Sequence, residues 1–351
     1  MKIVIISPFQ FRLRRGIERF TYSLANQLAK DYDLNVIIYS WKGENGTIYE
    51  NWNRKIKIRK VPYFKYFQQF WARFFYYIWE KFDNPDKLVC NFLWHGETAI
   101  FNKRRDTIIF HNPVSQIPHR YNFSKKYIDH ETSIIFDSND SLKDFNNFFS
   151  AIHSGKVINT GVDIDYFKPS ISKRNLKKLR IICISQFEER KGIQYLLKAI
   201  PTLLKECPLS IQIIGSGRYK IIYEKLIEEL KIDEYVEIMQ PVDDTRSYLL
   251  NSDIYFLLSH GEGFPLGLLE AMSCGIPVVT SNYPPFDEFG ESIIHMVNRD
   301  EPADIAKAII KLRNSEYYHN ISKSSRDLIV NNFSWELIAN KYNTHIFNNY
   351  K

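Results

Sequence analysis

Short unbroken runs of aliphatic and β-branched residues, each followed by a stretch with helical spacing, recur along almost the whole chain. KIVIISP (2–8), LNVIIYS (34–40), KLVCNFLW (87–94), DTIIFHN (106–112) and SIIFDSN (133–139) form a first series. LRIICIS (179–185), LSIQIIGSG (209–217), YVEIMQP (235–241), DIYFLLS (253–259) and IPVVTS (276–281) form a second. Runs without polar alternation suit strands covered on both faces. The spacing predicts helices over 17–30, 193–205, 219–231 and 265–274, and strands alternating with helices pair in parallel. The series are separated by GVDIDYFKPSISKRNLKK (161–178), which is polar and contains proline. The chain has 351 residues, beyond the roughly 250–300 at which one core stops growing. The expectation is an α/β protein of two doubly wound domains, residues 1–165 and 166–333.

Composition narrows the function classes. Lys and Arg number 47 against 40 Asp and Glu, a net charge of +7 spread along the chain. That suits a phosphate-bearing ligand or an anionic surface, and argues against a nucleic-acid-binding tail. Cys90, Cys183, Cys207 and Cys274 are widely spaced with no C-x-x-C pair, so reduced buried thiols are expected rather than zinc ligands. MKIVIISP reads as a first strand, not a secretory leader, and no run reaches the roughly 18 apolar residues of a membrane span. A cytoplasmic protein is expected.

Doubly wound sheets bind ligands beyond the carboxyl ends of their strands. Four segments there carry chemistry. In DIYFLLSHGEGFPLGLLEAMSCG a strand leads through a glycine-rich loop into a helix beginning near Pro265. The helix start offers free N–H groups to an anion. Glu262 lies in the loop and Glu270 in the helix, where a carboxylate can accept bonds from a pair of sugar hydroxyls; the same pattern also suits a solvated loop charge and a structural helix residue. In ISQFEERKGIQYLLKAI, Lys191 and Gly192 open a helix after a strand, and such a lysine meets a phosphate as a point charge or stays solvated. In SPFQFRLRRGIERF, Arg12, Arg14, Arg15 and Arg19 crowd the loop after the first strand. His95 and His111 each follow a strand of the first series.

These residues carry a resemblance. EGFPLGLLEAMSCGIPVVTS resembles the E-x7-E signature of family 4 retaining glycosyltransferases, which have the GT-B fold of two Rossmann-like domains facing across a cleft. SQFEERKG resembles that family's G-R-L-x-x-x-K-G phosphate loop, KVINTGVDIDYFKP its interdomain element, RRGIERFTYSLANQLAK its first helix, and NFSWELIANKY its last helix. The resemblance implies that the final helix, about 334–351, returns to the N-terminal domain. It implies a catalytic role for His111 and donor-sugar contact by Glu262, with Glu270 holding the ribose hydroxyls. Phe264, Pro265, Leu266 and Gly267 would present the backbone to the sugar or diphosphate. Lys191 would bind the diphosphate, Gly16 would let the first loop approach it, and Gly215 and Pro241 would line the nucleotide pocket. The donor would be a nucleotide diphosphate sugar. No tightly bound cofactor and no metal are expected, the D-x-D at 163–165 lying in the interdomain element.

The pattern is departed from in three places. Gln186 stands where the family has a phosphate-binding arginine, Arg15 where it has the first glycine of a pair, and Asn159-Thr160 where it has Pro-Asn. Arg190, Arg14 or Arg15 is expected to supply the missing cation. The function expected is retaining transfer of a sugar to an acceptor hydroxyl during assembly of a surface polysaccharide or glycolipid. The alternatives are a non-catalytic GT-B binding protein and a nucleotide-sugar epimerase.

One segment stands apart. PYFKYFQQFWARFFYYIWEKF (62–82) is crowded with Phe, Tyr and Trp and carries Lys65, Arg73 and Lys81. A helix there suits either a core or dimer surface, or a peripheral contact with the inner face of a membrane or a lipid-linked acceptor, made through Phe70, Trp71, Phe74 and Phe75.

Overall fold

The computed structural model describes residues 1–10, 16–42, 51–62, 67–91, 98, 100–111, 128–149, 154–170, 176–290 and 292–348. Arg12, Arg14, Arg15, Lys65 and His95 lie outside the described residues. The chain forms two compact units, Met1–Gly161 with Trp335–Lys351, and Val162–Ser334.

In the first unit the strands are β1 (Lys2–Ile6), β2 (Asn35–Trp41), β3 (Lys57–Val61), β4 (Lys87–Cys90), β5 (Thr107–Phe110), β6 (Ser133–Phe136) and β7 (Lys156–Val157). They make a parallel sheet in the order β3-β2-β1-β4-β5-β6-β7. Its helices are α1 (Gly16–Asp31), α2 (Gln68–Asp83) and α3 (Asn139–Phe149), and the last element of the chain joins them. Helix α1 buries Phe20, Leu24 and Leu28, one turn apart, on one face of the sheet. The closing helix, Trp335–Asn348, presents Ile338, Tyr342 and Ile346 at the same spacing to the same core. The Phe20 ring lies 5.7 Å from Trp335 and 5.5 Å from Tyr342, and the Tyr342 hydroxyl donates to the Ile158 carbonyl.

The second unit repeats the plan. Strands β8 (Leu179–Ile184), β9 (Leu209–Ile214), β10 (Val236–Met239), β11 (Ile254–Leu257), β12 (Val278–Ser281) and β13 (His295–Val297) form a parallel sheet in the order β10-β9-β8-β11-β12-β13. Helices α4 (Ile193–Leu204), α5 (Lys220–Leu230), α6 (Arg246–Leu250), α7 (Leu266–Ser273), α8 (Pro302–Lys311) and α9 (Ser315–Asn332) cover it, and the closing helix is α10. In both sheets the strand order reverses beside the first strand, at β1/β4 and at β8/β11. Such a reversal opens a crevice at the carboxyl ends of the strands.

The expected strands are present; most stop earlier at their carboxyl ends, β4 at Cys90, β5 at Phe110 and β6 at Phe136, whereas β2 runs one residue further, to Trp41, and β12 ends at Ser281 as expected. The sequence reading missed β3, β7 and β13, all at sheet edges. An edge strand is covered less completely, so it lacks the continuous apolar run: β3 reads KIRKV. The D-x-D at 163–165 folds as a local turn, in which the Asp163 carboxylate accepts from the Asp165 and Tyr166 N–H groups.

Candidate active site

The second unit assembles its polar residues at the β8/β11 reversal. The loop after β8 runs through a tight 3-10 turn, Glu189–Lys191, to Gly192. Gly192 has φ +73°, and a Cβ there would sit 2.2 Å from the Leu258 carbonyl oxygen. Only glycine lets the β8 loop press onto the end of β11. The His260 N–H donates to the Arg190 carbonyl at 2.7 Å, and Arg190 Nη1 donates back to the Gly261 carbonyl at 2.9 Å.

This stitching brings cations onto a buried carboxylate. Glu262 is 8 % exposed. Lys191 Nζ lies 2.5 Å from its Oε1 and Arg190 Nη1 3.9 Å from its Oε2. Burial alone would raise the Glu262 pKa; Lys191 and Arg190 outweigh it and hold the carboxyl below its ordinary value. Arg190 also bonds Glu188, so its guanidinium bridges both loops. Gln186 is exposed at the edge of the same loop.

Glu270 lies in α7, 3 % exposed, and its Oε2 accepts from the Thr245 hydroxyl at 3.1 Å. Pro265 caps α7 without a side-chain bond, and the first N–H returned to it comes from Leu268 at 3.2 Å. The N–H groups of Leu266 and Gly267 therefore precede the helix ladder, as anion-binding helix starts require. The Phe264 ring is turned into the core against Phe289 and Phe333, leaving its backbone for the loop. Gly215 follows β9 and donates to the Met239 carbonyl, while Pro241 is exposed just beyond β10. Among the described residues, no group of three His, Cys, Asp or Glu side chains could hold a metal.

In the first unit, polar side chains gather at the β1/β4 reversal. Ser7 donates to Gln10, Gln10 to the Glu18 carbonyl, and Asn91 Nδ2 to the Thr21 hydroxyl. Asn91 Oδ1 lies 3.1 Å from His111 Nε2, and Phe20 meets the His111 ring edge-on at 4.6 Å. Gly16 is exposed at the start of α1, ahead of the buried Glu18. The sequence reading singled out His111 and Gly16 but not Ser7, Gln10, Thr21 or Asn91, nor Thr245 beside Glu270. Ser7 and Asn91 fell inside the strands expected at 2–8 and 87–94; in the structure each comes directly after a strand.

Burial lowers the His111 pKa to about 3. The imidazole is neutral in the folded protein at every physiological pH. As pH falls below the ordinary histidine range the unfolded chain takes up a proton that the folded chain refuses. Stability is therefore expected to decline from about pH 6.5 towards pH 3. His295, lowered by burial to about 4, adds to the same slope. Urea melts of His111→Gln at pH 7 and pH 4.5 check the assignment: the variant should lose less stability between them than the wild type, and an unchanged difference would refute it.

Residues 167–328 match the family described as Glycosyl transferases group 1. The N-acetyl-α-D-glucosaminyl L-malate synthase of Bacillus anthracis is 28 % identical over 167 residues, 47 % of this chain and 44 % of that protein. The O-antigen biosynthesis glycosyltransferase WclY of Escherichia coli is 27 % identical over 161 residues, 46 % of this chain and 44 % of its own. The matched stretch thus spans less than half the length of these relatives. The solved structure of Anabaena Alr3699/HepE in complex with UDP superposes with a TM-score of 0.79 at 18 % identity, covering 98 % of each chain. The chain has the GT-B fold, and its similarity to the group 1 glycosyl transferases falls on the unit that holds Lys191, Glu262 and Glu270.

Proposed function

We propose that this chain is a retaining glycosyltransferase of the E-x7-E type, transferring a sugar from a nucleotide diphosphate sugar to an acceptor hydroxyl. The observation that carries the reading is the buried Glu262 carboxylate held by Lys191 beside the uncapped start of the helix that bears Glu270. A diphosphate donor needs a cation and free N–H groups for its phosphates, and acceptors for its sugar hydroxyls; these residues supply both. Glu270 accepts from the ribose hydroxyls, with Thr245 fixing the carboxylate. Lys191 and the N–H groups of Leu266 and Gly267 stabilise charge on the departing diphosphate. Glu262 orients the sugar. The C1–O bond to the diphosphate breaks as the acceptor oxygen bonds C1 on the same face, and the acceptor proton leaves on the diphosphate. No metal is required in this scheme. HepE binds UDP and WclY serves O-antigen biosynthesis, which favours a uridine donor and a surface polysaccharide or glycolipid product.

Thermal unfolding with UDP, GDP, ADP, TDP and CMP, with and without magnesium, tests the reading. A nucleotide at about 100 times its Kd adds roughly 2.7 kcal/mol, so one diphosphate should raise Tm by several degrees. Glu270→Ala should abolish that rise. No shift with any nucleotide would favour the non-catalytic alternative, which the exposed Gln186 keeps in play.

A further inference from the structure

Helix α2 has two faces of different chemistry. Ala72, Tyr76 and Asp83 are buried, and Phe75 and Trp79 pack against the core between them. On the other side Phe67, Phe70, Phe74 and Tyr77 project at intervals of three and four residues, 78, 62, 48 and 52 % exposed, and Phe82 is 78 % exposed. Charge is sorted in the same way. Asp83 points inward, where Arg59 and the Tyr39 hydroxyl bond it. Glu80 is largely covered and lies 3.5 Å from Arg105. Arg73 and Lys81 are exposed on the aromatic side, and Lys81 Nζ stands 5.6 Å from the Tyr77 ring centre, also reaching Glu80 at 3.8 Å. The acids of α2 thus face inward and its cations outward.

We propose that this face of α2 docks the protein on the surface of an anionic lipid bilayer. A soluble protein rarely leaves so many aromatic rings in one exposed stripe. Aromatic rings mixed with cations settle at the boundary between headgroups and acyl chains. The outward cations match an anionic surface, whereas a second copy would set Arg73 and Lys81 against their own kind. Among the described residues no helix is long and apolar enough to cross a membrane, so the contact lies in the plane of the surface.

The test is co-sedimentation of the full chain with vesicles of phosphatidylcholine alone and of phosphatidylcholine with phosphatidylglycerol. The wild type should pellet with the anionic vesicles only, and less at high salt. Phe70→Ser/Phe74→Ser should weaken binding by at least about tenfold, binding scaling with buried apolar area. Arg73→Ala/Lys81→Ala should weaken it roughly 25-fold, at about fivefold for each cation. All four side chains are exposed, so Tm should stay unchanged and report an intact fold. Equal pelleting with both vesicles, or no loss in either variant, overturns the proposal. So does a wild-type dimer that binds no vesicles and becomes monomeric in Phe70→Ser/Phe74→Ser. The readout is lipid binding, so it stands or falls separately from the nucleotide experiment.

Discussion

Lys191→Ala is expected to lower sugar transfer roughly 100- to 1,000-fold, the range seen when one preorganised charge-stabilising group is removed, and to destabilise the protein as well. The second effect follows from the geometry. Lys191 Nζ is the nearest cation to a carboxylate that is 8 % exposed. Removing one partner of a buried pair typically costs about 3–5 kcal/mol, because the other charge stays behind uncompensated. Arg190 Nη1 remains 3.9 Å from Glu262 Oε2, which places the loss near the lower end. The two effects separate in the double variant Lys191→Ala/Glu262→Gln. With no carboxylate left to neutralise, stability should largely return, while transfer stays low because the phosphates still lack their cation. The acid limb of stability reports the same pair. The Glu262 pKa is lowered on folding, so its contribution is present above the ordinary carboxylate pKa and fades as pH falls through the lower folded value. A Lys191→Ala variant with wild-type transfer and wild-type stability would remove the basis for placing the diphosphate at this residue.

The second large effect is expected of Gly215→Ala. A methyl group at this position would lie 1.9 Å from the Ser185 carbonyl oxygen and 2.8 Å from the Phe187 ring. Neither neighbour is a loose surface side chain. The Ser185 N–H donates to the Ile214 carbonyl, Gly215 itself donates to the Met239 carbonyl, and Phe187 is wholly buried in the unit's core. The ends of β8, β9 and β10 must therefore spread together. Overpacking typically costs about 1–3 kcal/mol, and with backbone as the obstacle Gly215→Ala falls at the upper end of that range, enough to lower Tm by several degrees. It also displaces the loop that carries Lys191, so nucleotide-induced stabilisation should fall with it. A variant with Tm within about one degree of the wild type would show that the strand ends yield easily.

The chain's own pattern carried the fold a long way. The apolar runs in KIVIISP, LNVIIYS and their successors have no polar alternation because both sheet faces are covered, and that alone separates this chain from an antiparallel one. Edge strands β3, β7 and β13 were illegible for the complementary reason. The candidate site was legible by position and by motif. Lys191, Glu262 and Glu270 stand just beyond predicted strands or in the helix that follows, where a doubly wound sheet places its ligand, but nothing in their spacing says that Lys191 would bond Glu262 across 71 residues. That pairing depends on β8 and β11 lying side by side, a property of strand order rather than of any local segment. Thr245 is the plainest case: an unremarkable threonine that becomes a partner for Glu270 only when α6 and α7 are packed. The same division holds for α2. Its composition showed too many aromatic rings for a solvated helix, but which rings turn inward, and that Glu80 and Asp83 turn in while Arg73 and Lys81 turn out, was settled by the helix's seat against β2 and β3 and by the half-buried Arg59 and Arg105 and the buried Tyr39 hydroxyl waiting there. Sequence determines which elements form, because periodicity and propensity act within a few residues. Tertiary structure decides which charges meet, because Coulomb and hydrogen-bond energies depend on distances that only the packed sheet sets.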